Sequence, residues 1–278
     1  MSATVKVETL EVPGGRIAYE DAGTGPALVL LHEGIVDRRV WDREFPELAR
    51  RHRVVRYDLR GYGDSTPATE PFSHVDDLDA LVEELRIDHP VIIAPSMGGR
   101  IAIDYALSDP ERMRGIFLLA PGLSGMQIEM DPDGKDAYDE DDRRSSAITA
   151  AWTAGQRSEA FEGLRQLWGA ALTGPALDHF RTMVDDNAIE VFESRTAAFD
   201  RLNEPPAAPR LSQLSVPTQV LVGDRDNPSA PRFAMFIAKN VPGAGLSTIA
   251  GADHLINLSQ PDAFDRELAT FLEHHGLE

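Results

Sequence analysis

A serine near the middle of this sequence lies where a strand is predicted to pass into a helix. The stretch PVIIAPSMGGRIAIDYAL, residues 90–107, contains Ser96. The residues before it, Val91–Pro95, form a short apolar run typical of a buried strand, and residues 100–107 have apolar side chains at helical spacing. A serine at such a junction can act as the nucleophile in covalent catalysis.

The neighbours of Ser96 fit that role. A serine in a sharp strand-to-helix turn has a strained backbone, which is tolerated only when the residues two positions away are small. Ala94 and Gly98 meet this requirement. The backbone amide of Met97 would then lie at a helix N-terminus, where it can bind a developing oxyanion. Taken alone, the pattern is equally typical of a glycine-rich turn that is capped by a serine.

A serine hydroxyl is a poor nucleophile unless a base takes its proton and an anion orients that base. His254 is the best candidate base, because it follows the last predicted strand, residues 246–249, and so lies at the same sheet edge as Ser96. Asp226, which follows another predicted strand, is the candidate orienting anion. Asp224 is the alternative, but it lies closer to that strand and is expected to serve the turn.

Composition excludes several other classes of protein. The chain has 278 residues, of which 42% are hydrophobic, enough to bury the core of a large α/β domain. The absence of cysteine excludes disulfides, thiolate metal sites and cysteine nucleophiles. A formal net charge of −19 disfavours nucleic acid and anionic membranes as partners. The N-terminal residues lack a signal-peptide pattern, and no apolar run approaches the about 20 residues that cross a bilayer, so a cytoplasmic location is expected.

The charge also suggests a hypothesis about salt. The only lysines are Lys6, Lys135 and Lys239, and the other basic residues are arginine or histidine. Because acidic, lysine-poor surfaces suit high ionic strength, we expect the protein to tolerate salt.

Predicted strands and helices alternate over most of the chain, which is typical of a parallel sheet covered by helices on both faces. The predicted strands are residues 5–12, 17–20, 27–31, 54–57, 91–95, 115–120, 218–222 and 246–249. The predicted helices are residues 73–85, 100–107, 231–239 and 261–274, with an amphipathic segment at residues 39–50.

The alternation stops at residue 121. Further helices are predicted at residues 146–154, 158–172, 175–185 and 188–198, so residues 122–209 are interpreted as a helical cap inserted into a core of residues 1–121 and 210–278. The acidic stretch at residues 131–142 is predicted to be a solvated loop, since it lacks the ligand spacing of a calcium loop. No metal and no cofactor are expected.

Five segments, in this order, resemble the α/β-hydrolase superfamily. HEGIVDRRVW, residues 32–41, resembles the family's His-Gly loop with a downstream tryptophan, and RYDLRGYGDS, residues 56–65, its strand-four signature. APSMGG, residues 94–99, resembles the nucleophile elbow, while residues 216–226 and 251–254 resemble the acid and base segments. The resemblance covers nearly the whole chain and points to the capped group of carboxylesterases, lactonases and meta-cleavage product hydrolases. It implies a mostly parallel eight-stranded sheet with helices on both faces and an inserted helical cap.

The resemblance also implies roles for the loop after the third strand. The amide of Gly34, two positions after His32, is the implied second oxyanion donor beside Met97, and His32 is implied to brace the loop. Ala94 replaces the usual first glycine of the elbow. Glu33 stands where the loop usually has glycine, and we expect its side chain to point outward to solvent; turned inward, it would disfavour anionic substrates and perturb His254.

Side chains that could line the substrate pocket come from both parts of the chain. Most apolar residues of the insertion are expected to pack its helices together, and a minority to face the site. The pocket candidates are Glu33, Ile35, Trp152, Trp168 and Leu255.

The leading functional hypothesis is a cofactor-independent serine hydrolase of small to medium carboxylic esters, which acts through an acyl-enzyme. A lactone is an equally conceivable substrate, and relatives with the same residue types hydrolyse carbon–carbon bonds of meta-cleavage products. A small-molecule receptor on the same fold is the non-enzymatic alternative. Serine at position 96 argues against dehalogenases and epoxide hydrolases, which resemble this architecture but use aspartate there. The sequence is compatible with a monomer or a homodimer.

Overall fold

The computed structural model describes residues 5–126 and 131–278, and its centre is an eight-stranded sheet in the order β1-β2-β4-β3-β5-β6-β7-β8. Strands β1 and β2 pair antiparallel, as do β2 and β4, and all later pairs are parallel. The strands are β1 Glu8–Val12, β2 Gly15–Ala22, β3 Ala27–Leu30, β4 Arg53–Tyr57, β5 Val91–Pro95, β6 Gly115–Leu119, β7 Thr218–Gly223 and β8 Gly245–Ile249. The predicted fold class is confirmed.

Every residue of the central strands β3, β5 and β6 is buried, as their continuous apolar sequences require. Successive side chains point to opposite faces of the sheet. Leu28 and Leu30 pack into the core on one face, while Val29 and Leu31 belong to the core on the other. Both faces therefore need a covering layer of helices.

The covering helices divide between the two faces. Helices α2, α3 and α8 contribute buried side chains to one core, and α1 and α10 contribute to the other, with the short α9 beside α10. These helices are α1 Glu44–Leu48, α2 His74–Glu84, α3 Ser96–Ser108, α8 Ala230–Asn240, α9 Ile256–Ser259 and α10 Pro261–His274.

Helices α4 to α7 lie between β6 and β7. They are α4 Pro132–Thr153, α5 Arg157–Trp168, α6 Gly174–Asp186 and α7 Ala188–Glu193. Their buried residues, among them Phe161, Phe180 and Phe192, pack together. They extend the hydrophobic core on the side of the sheet that α1 and α10 cover. The division into a core and a cap at residues 122–209 stays a prediction.

The acidic stretch at residues 131–142 is helical, so the predicted loop is wrong. Asp131 caps α4, because its side chain accepts the N–H of Gly134 at 2.7 Å, and Pro132 occupies the first turn, where no N–H is needed. Lys135 Nζ lies 2.6 Å from Asp139 Oδ2, an i, i+4 pair that supports the helix. Capping and pairing thus compensate for the crowded negative charge.

Two further segments differ clearly from the sequence prediction. Residues 39–50 form a short 3₁₀ turn, Arg38–Trp41, followed by α1, rather than one amphipathic segment. Helix α7 ends at Glu193, because Ser194 adopts the left-handed conformation with φ of +47°. The Glu190 carboxylate then accepts the amide of Thr196 at 2.8 Å, which fixes the turn.

Within residues 5–126 and 131–278, no helix is long and apolar enough to cross a membrane.

Candidate active site

Ser96 lies at the junction of β5 and α3 and is half-buried. Its φ of +42° is in the left-handed region, which is strained for a residue with a side chain. The turn packs closely against β3 and the loop that follows it. A Cβ added to Gly98 would lie 2.8 Å from Leu31 Cβ and 2.9 Å from the carbonyl oxygen of His32. A Cβ on Gly99 would lie 2.6 Å from Pro121 Cβ. Glycine at these two positions therefore allows the helix to begin against the sheet.

The loops after β7 and β8 are held together by their backbones. The amide of Arg225 donates to the carbonyl of Ala252 at 2.9 Å, and a Cβ on Gly223 would lie only 2.2 Å from that same oxygen. This close approach brings Asp226, on one loop, to His254, on the other.

His254 Nδ1 lies 2.9 Å from Oδ1 and 3.1 Å from Oδ2 of Asp226. A carboxylate can only accept, so Nδ1 carries the proton and Nε2 is left to accept another. The Asp226 side chain is fully buried and also accepts the amide of Asn227 at 2.7 Å. The alternative anion, Asp224, instead accepts the amide of Gly251 at an exposed turn, at 2.7 Å.

The charges around His254 favour its protonated form. Burial by itself lowers the pKa of the imidazole, but Asp226, Glu33 and Asp253 together outweigh burial and raise it. A raised pKa makes the imidazole a stronger base, and the base is available only above that pKa.

Two cavities meet at Ser96 and His254, and both side chains line each of them. The first, of about 290 Å³, is named here the Gly34 cavity. It is lined by Gly34, Ile35, Ser96, Met97, Ser145, Ile148, Thr149, Leu164, Trp168, Val191, Ser194 and His254.

The second, of about 220 Å³, is named the Asp141 cavity. It is lined by Ser96, Ala120, Pro121, Gly122, Tyr138, Asp141, Asp142, Ser145, Trp168, Asn227, Ser229, Ala230, Phe233 and His254. A group attacked by Ser96 could therefore extend to either side.

The loop that carries Gly34 is braced by the β4–α2 segment. His32 Nδ1 lies 2.8 Å from the carbonyl of Glu33, and His32 Nε2 accepts the amide of Leu59 at 2.9 Å. The hydroxyl of Tyr62 donates to the carbonyl of Gly34 at 2.8 Å. Burial lowers the pKa of His32 to about 4, so its ring is neutral and suited to a bracing role. Leu59 and Tyr62 are bracing residues that sequence reasoning missed.

The predicted pocket residues divide into two groups. Ile35 and Trp168 line the cavities. Trp152 does not line either one, because its ring stacks on Phe192 with centroids 4.3 Å apart. Leu255 is fully buried in the core and also lies outside the lining.

The expected outward orientation of Glu33 is wrong. Only 1% of the residue is exposed, and it does not line either cavity. Both neighbours of Glu33 are held by hydrogen bonds: His32 through its two ring nitrogens, and Gly34 through its carbonyl, which accepts from Tyr62. Because the backbone on either side is held in this way, the direction of the Glu33 side chain is fixed. The loop thus directs a charged side chain toward the interior of the protein.

Helix α4 supplies site residues that sequence reasoning missed. Asp141, Asp142 and Ser145 line the Asp141 cavity, and Asp141 Oδ2 accepts the amide of Ser229 at 3.0 Å. Asp131 followed by Pro132 is a sequence pattern that indicates the start of a helix. The many acidic residues that follow it made the segment resemble a solvated loop instead. In the described part of the chain, no cluster of three or more histidine or acidic side chains could hold a metal ion.

Similarity to known proteins identifies the family of this chain. The sequence profile of the Alpha/beta hydrolase family matches residues 28–267. A pimeloyl-[acyl-carrier protein] methyl ester esterase of Nitrosospira multiformis is 26% identical over 262 residues, which is 91% of this chain and 96% of the relative.

Two solved structures are also similar over nearly their whole length. A thermophilic esterase from Thermogutta terrifontis has a TM-score of 0.76 and 26% identity, and the match covers 98% of each chain. An N-acyl homoserine lactone degrading enzyme has a TM-score of 0.73 and 26% identity, with 95% of this chain and 100% of that chain covered. Because the family profile spans most of the sequence, this chain belongs to the α/β-hydrolase family.

Proposed function

We propose that this protein is a serine hydrolase that cleaves carboxylic esters, lactones among them, through an acyl-enzyme. One observation carries the proposal. Ser96, on a strained turn, shares two cavities with His254, whose Nδ1 is hydrogen-bonded to the buried carboxylate of Asp226. A nucleophile, a base and an orienting anion in this arrangement suit acyl transfer.

Acylation follows from the protonation state of His254. Nε2 takes the proton of the Ser96 hydroxyl as Oγ attacks the carbonyl carbon, and Asp226 stabilises the imidazolium that forms. Gly34 and Met97 both line the Gly34 cavity, and in this mechanism their backbone amides bind the oxyanion of the tetrahedral intermediate. His254 then returns the proton to the alkoxide, which leaves as an alcohol.

Deacylation repeats these steps with water. His254 takes a proton from water, the hydroxide attacks the acyl-enzyme, and the collapse of the second intermediate releases the acid and restores the Ser96 hydroxyl. With a lactone, the alcohol and the acid remain in one product molecule.

The cavities favour small, uncharged substrates. Each cavity, of about 290 or 220 Å³, is smaller than is usual for a small-molecule site, so a small group fits on either side of Ser96. Neither lining contains arginine or lysine, whereas Asp141 and Asp142 line one of them. The names of the relatives, an esterase acting on a methyl ester and a lactone-degrading enzyme, support the same substrate classes.

Carbon–carbon hydrolysis of a meta-cleavage product has weaker support. Its substrate is a dienol acid, and its carboxylate would meet acidic side chains without a basic partner among the lining residues. The receptor alternative requires a site that binds without turnover, and the hydrogen bond between His254 and Asp226 argues against it.

The test is an activity screen across short-chain p-nitrophenyl esters, lactones and a vinylogous diketone acid. We expect the wild type to hydrolyse esters or lactones, and Ser96→Ala to lose on the order of 10⁴-fold or more of kcat. A fluorophosphonate probe is expected to label Ser96, as identified by peptide mass.

Ser108→Ala is the matched control, because Ser108 lies at the opposite end of the same helix and its hydroxyl donates to the carbonyl of Tyr105 at 2.6 Å. It is expected to keep full activity. A wild type that hydrolyses nothing in the panel and resists the probe would refute the proposal. Diketone turnover far above ester turnover would favour carbon–carbon hydrolysis, and tight binding without turnover would favour the receptor.

A further inference from the structure

Glu33 is a buried carboxyl group that the proposed mechanism leaves unused. It directly precedes Gly34, and only 1% of the residue is exposed. Neither carboxylate oxygen is hydrogen-bonded to another described residue. Burying a polar group without such a partner is unfavourable, so a residue of this kind calls for a specific explanation.

The charged groups around Glu33 can be named individually. Asp37 and Asp253 repel its carboxylate, and His254 attracts it. Asp37 is bound by Arg39 Nη2 at 2.6 Å, and Asp253 accepts the amides of Ala171 and Leu255 at 2.8 and 3.0 Å.

Both neighbouring carboxylates are thus satisfied, and the attractive charge that acts on the Glu33 carboxylate is that of His254. The charged groups that act on His254 are in turn Asp226, Glu33 and Asp253.

Glu33 directly precedes Gly34, which lines the Gly34 cavity together with His254, so the buried carboxyl lies on the same side of the site as the imidazole. The charge of each group therefore acts on the other. Burial raises the pKa of Glu33 to about 7, and the imidazole of His254 opposes that rise. By reciprocity, an ionised Glu33 stabilises the imidazolium of His254. Asp226 holds the ring by a hydrogen bond, whereas Glu33 acts on it through charge alone.

We propose that Glu33 is a positioning residue for the catalytic base, a second carboxylate that stabilises the His254 imidazolium and so sets the lower pH limit of hydrolysis. This inference rests on the proposed function. His254 must be neutral to take the serine proton, so activity falls as pH falls through its pKa. Removal of the Glu33 charge destabilises the imidazolium, and the acidic limb moves to lower pH.

The experiment compares wild type with Glu33→Gln in two measurements. The first is kcat/KM from pH 5 to 9 on the best ester of the screen. We expect the ratio of kcat/KM at pH 6 to that at pH 8 to rise about threefold or more in the variant. The second is an NMR titration of the His254 imidazole, which needs no turnover, and its midpoint is expected to shift to lower pH.

Two further variants keep the result interpretable. Glu33→Gly introduces the residue that resembling proteins usually carry there, and it should shift both measurements in the same direction if Glu33→Gln folds poorly. Glu44→Gln is the matched control. Glu44 is only 2% exposed, burial raises its pKa to about 7, and it lines a separate cavity beside Arg43 and His52. It is expected to leave the acidic limb and the His254 titration unchanged.

The outcomes separate the two proposals. An active wild type whose acidic limb and His254 midpoint are unchanged in both Glu33 variants overturns the role of Glu33. Equal shifts in Glu44→Gln would also overturn it, because they would show a general effect of net charge. A wild type that hydrolyses nothing overturns the proposed function, while the NMR midpoint still decides whether Glu33 acts on His254.

Discussion

His254 differs from the other buried histidines in the charges that surround it. Burial lowers the pKa of His32, His52 and His74, which keeps these rings neutral. His254 is equally enclosed, yet Asp226 and the neighbouring carboxylates raise its pKa. Among the buried histidines of the described ranges, this is the ring suited to take and return a proton at neutral pH.

Asp226→Asn is expected to lower kcat by about 10³- to 10⁴-fold, with little change in folding. An asparagine can donate a hydrogen bond to Nδ1, which favours the tautomer whose Nε2 carries the proton and cannot act as a base. Steady-state kinetics on the ester identified in the screen measure the loss.

Asp224→Asn is the control for this experiment. Asp224 is two residues away, and its carboxylate accepts the exposed amide of Gly251 rather than contacting the base. It is expected to retain kcat within about twofold. Equal losses in the two variants would contradict the assignment of Asp226 as the orienting anion.

The sequence predicted where Ser96, Asp226 and His254 lie, because parallel strands carry their C-terminal loops to one edge of the sheet. It did not predict the direction of Glu33. That direction depends on hydrogen bonds from Leu59 and Tyr62, which are far from Glu33 in sequence and leave no local pattern. Trp152 was misplaced for a similar reason, since stacking on Phe192 is a tertiary contact.

At the scale of elements, the first half of helix α4 contributes to the site, although residues 131–142 were predicted to be a solvated loop. It places Asp141, Asp142 and Ser145 on the cavity walls, and Asp141 accepts an amide from the loop that also carries Asp226. The other strands and helices were predicted to within a few residues, because their apolar periodicity is strong. In the first half of α4, the four acidic residues from 139 to 142 left no apolar period to detect, whereas the second half was predicted as the helix at residues 146–154.

Asp131→Ala is expected to destabilise the protein by about 0.5–2 kcal/mol, because the first turn of α4 loses the side-chain acceptor for the Gly134 amide. Thermal or urea unfolding measures this change. Asp136→Ala removes an exposed charge from the same helix without removing the cap and should change stability by less than about 0.5 kcal/mol. Equal effects of the two substitutions would show that charge, rather than capping, stabilises the segment.

At the scale of the whole molecule, negative charge dominates the surface. The formal net charge is −19, and the sequence pI is about 4.8. Many carboxylates pair with arginine, as Asp265 does with Arg43 at 2.6 Å, but the excess of acidic residues leaves a net repulsion at neutral pH. The folded state brings these charges closer together than the unfolded chain does.

Salt is therefore expected to stabilise the protein at neutral pH. Between 0.01 and 0.15 M ionic strength the Debye length falls from about 30 to about 8 Å, which screens repulsion between distant charges more than attraction within close pairs. We expect the Tm at pH 7.5 to rise over this range by a few degrees.

The same salt series near pH 5 is the control, because the net charge there is close to zero and the rise should largely disappear. A Tm that falls with salt at pH 7.5 would contradict the expectation and would indicate that paired charges outweigh the repulsion.

The hydrogen bond from the Ala171 amide to Asp253 joins the turn between α5 and α6 to the residue before His254. Burial raises the pKa of Asp253, and the hydrogen bond from the Ala171 amide opposes that rise. Without this donor, less negative charge would lie beside the imidazole. The proton affinity of the base thus depends in part on a contact from the turn between α5 and α6.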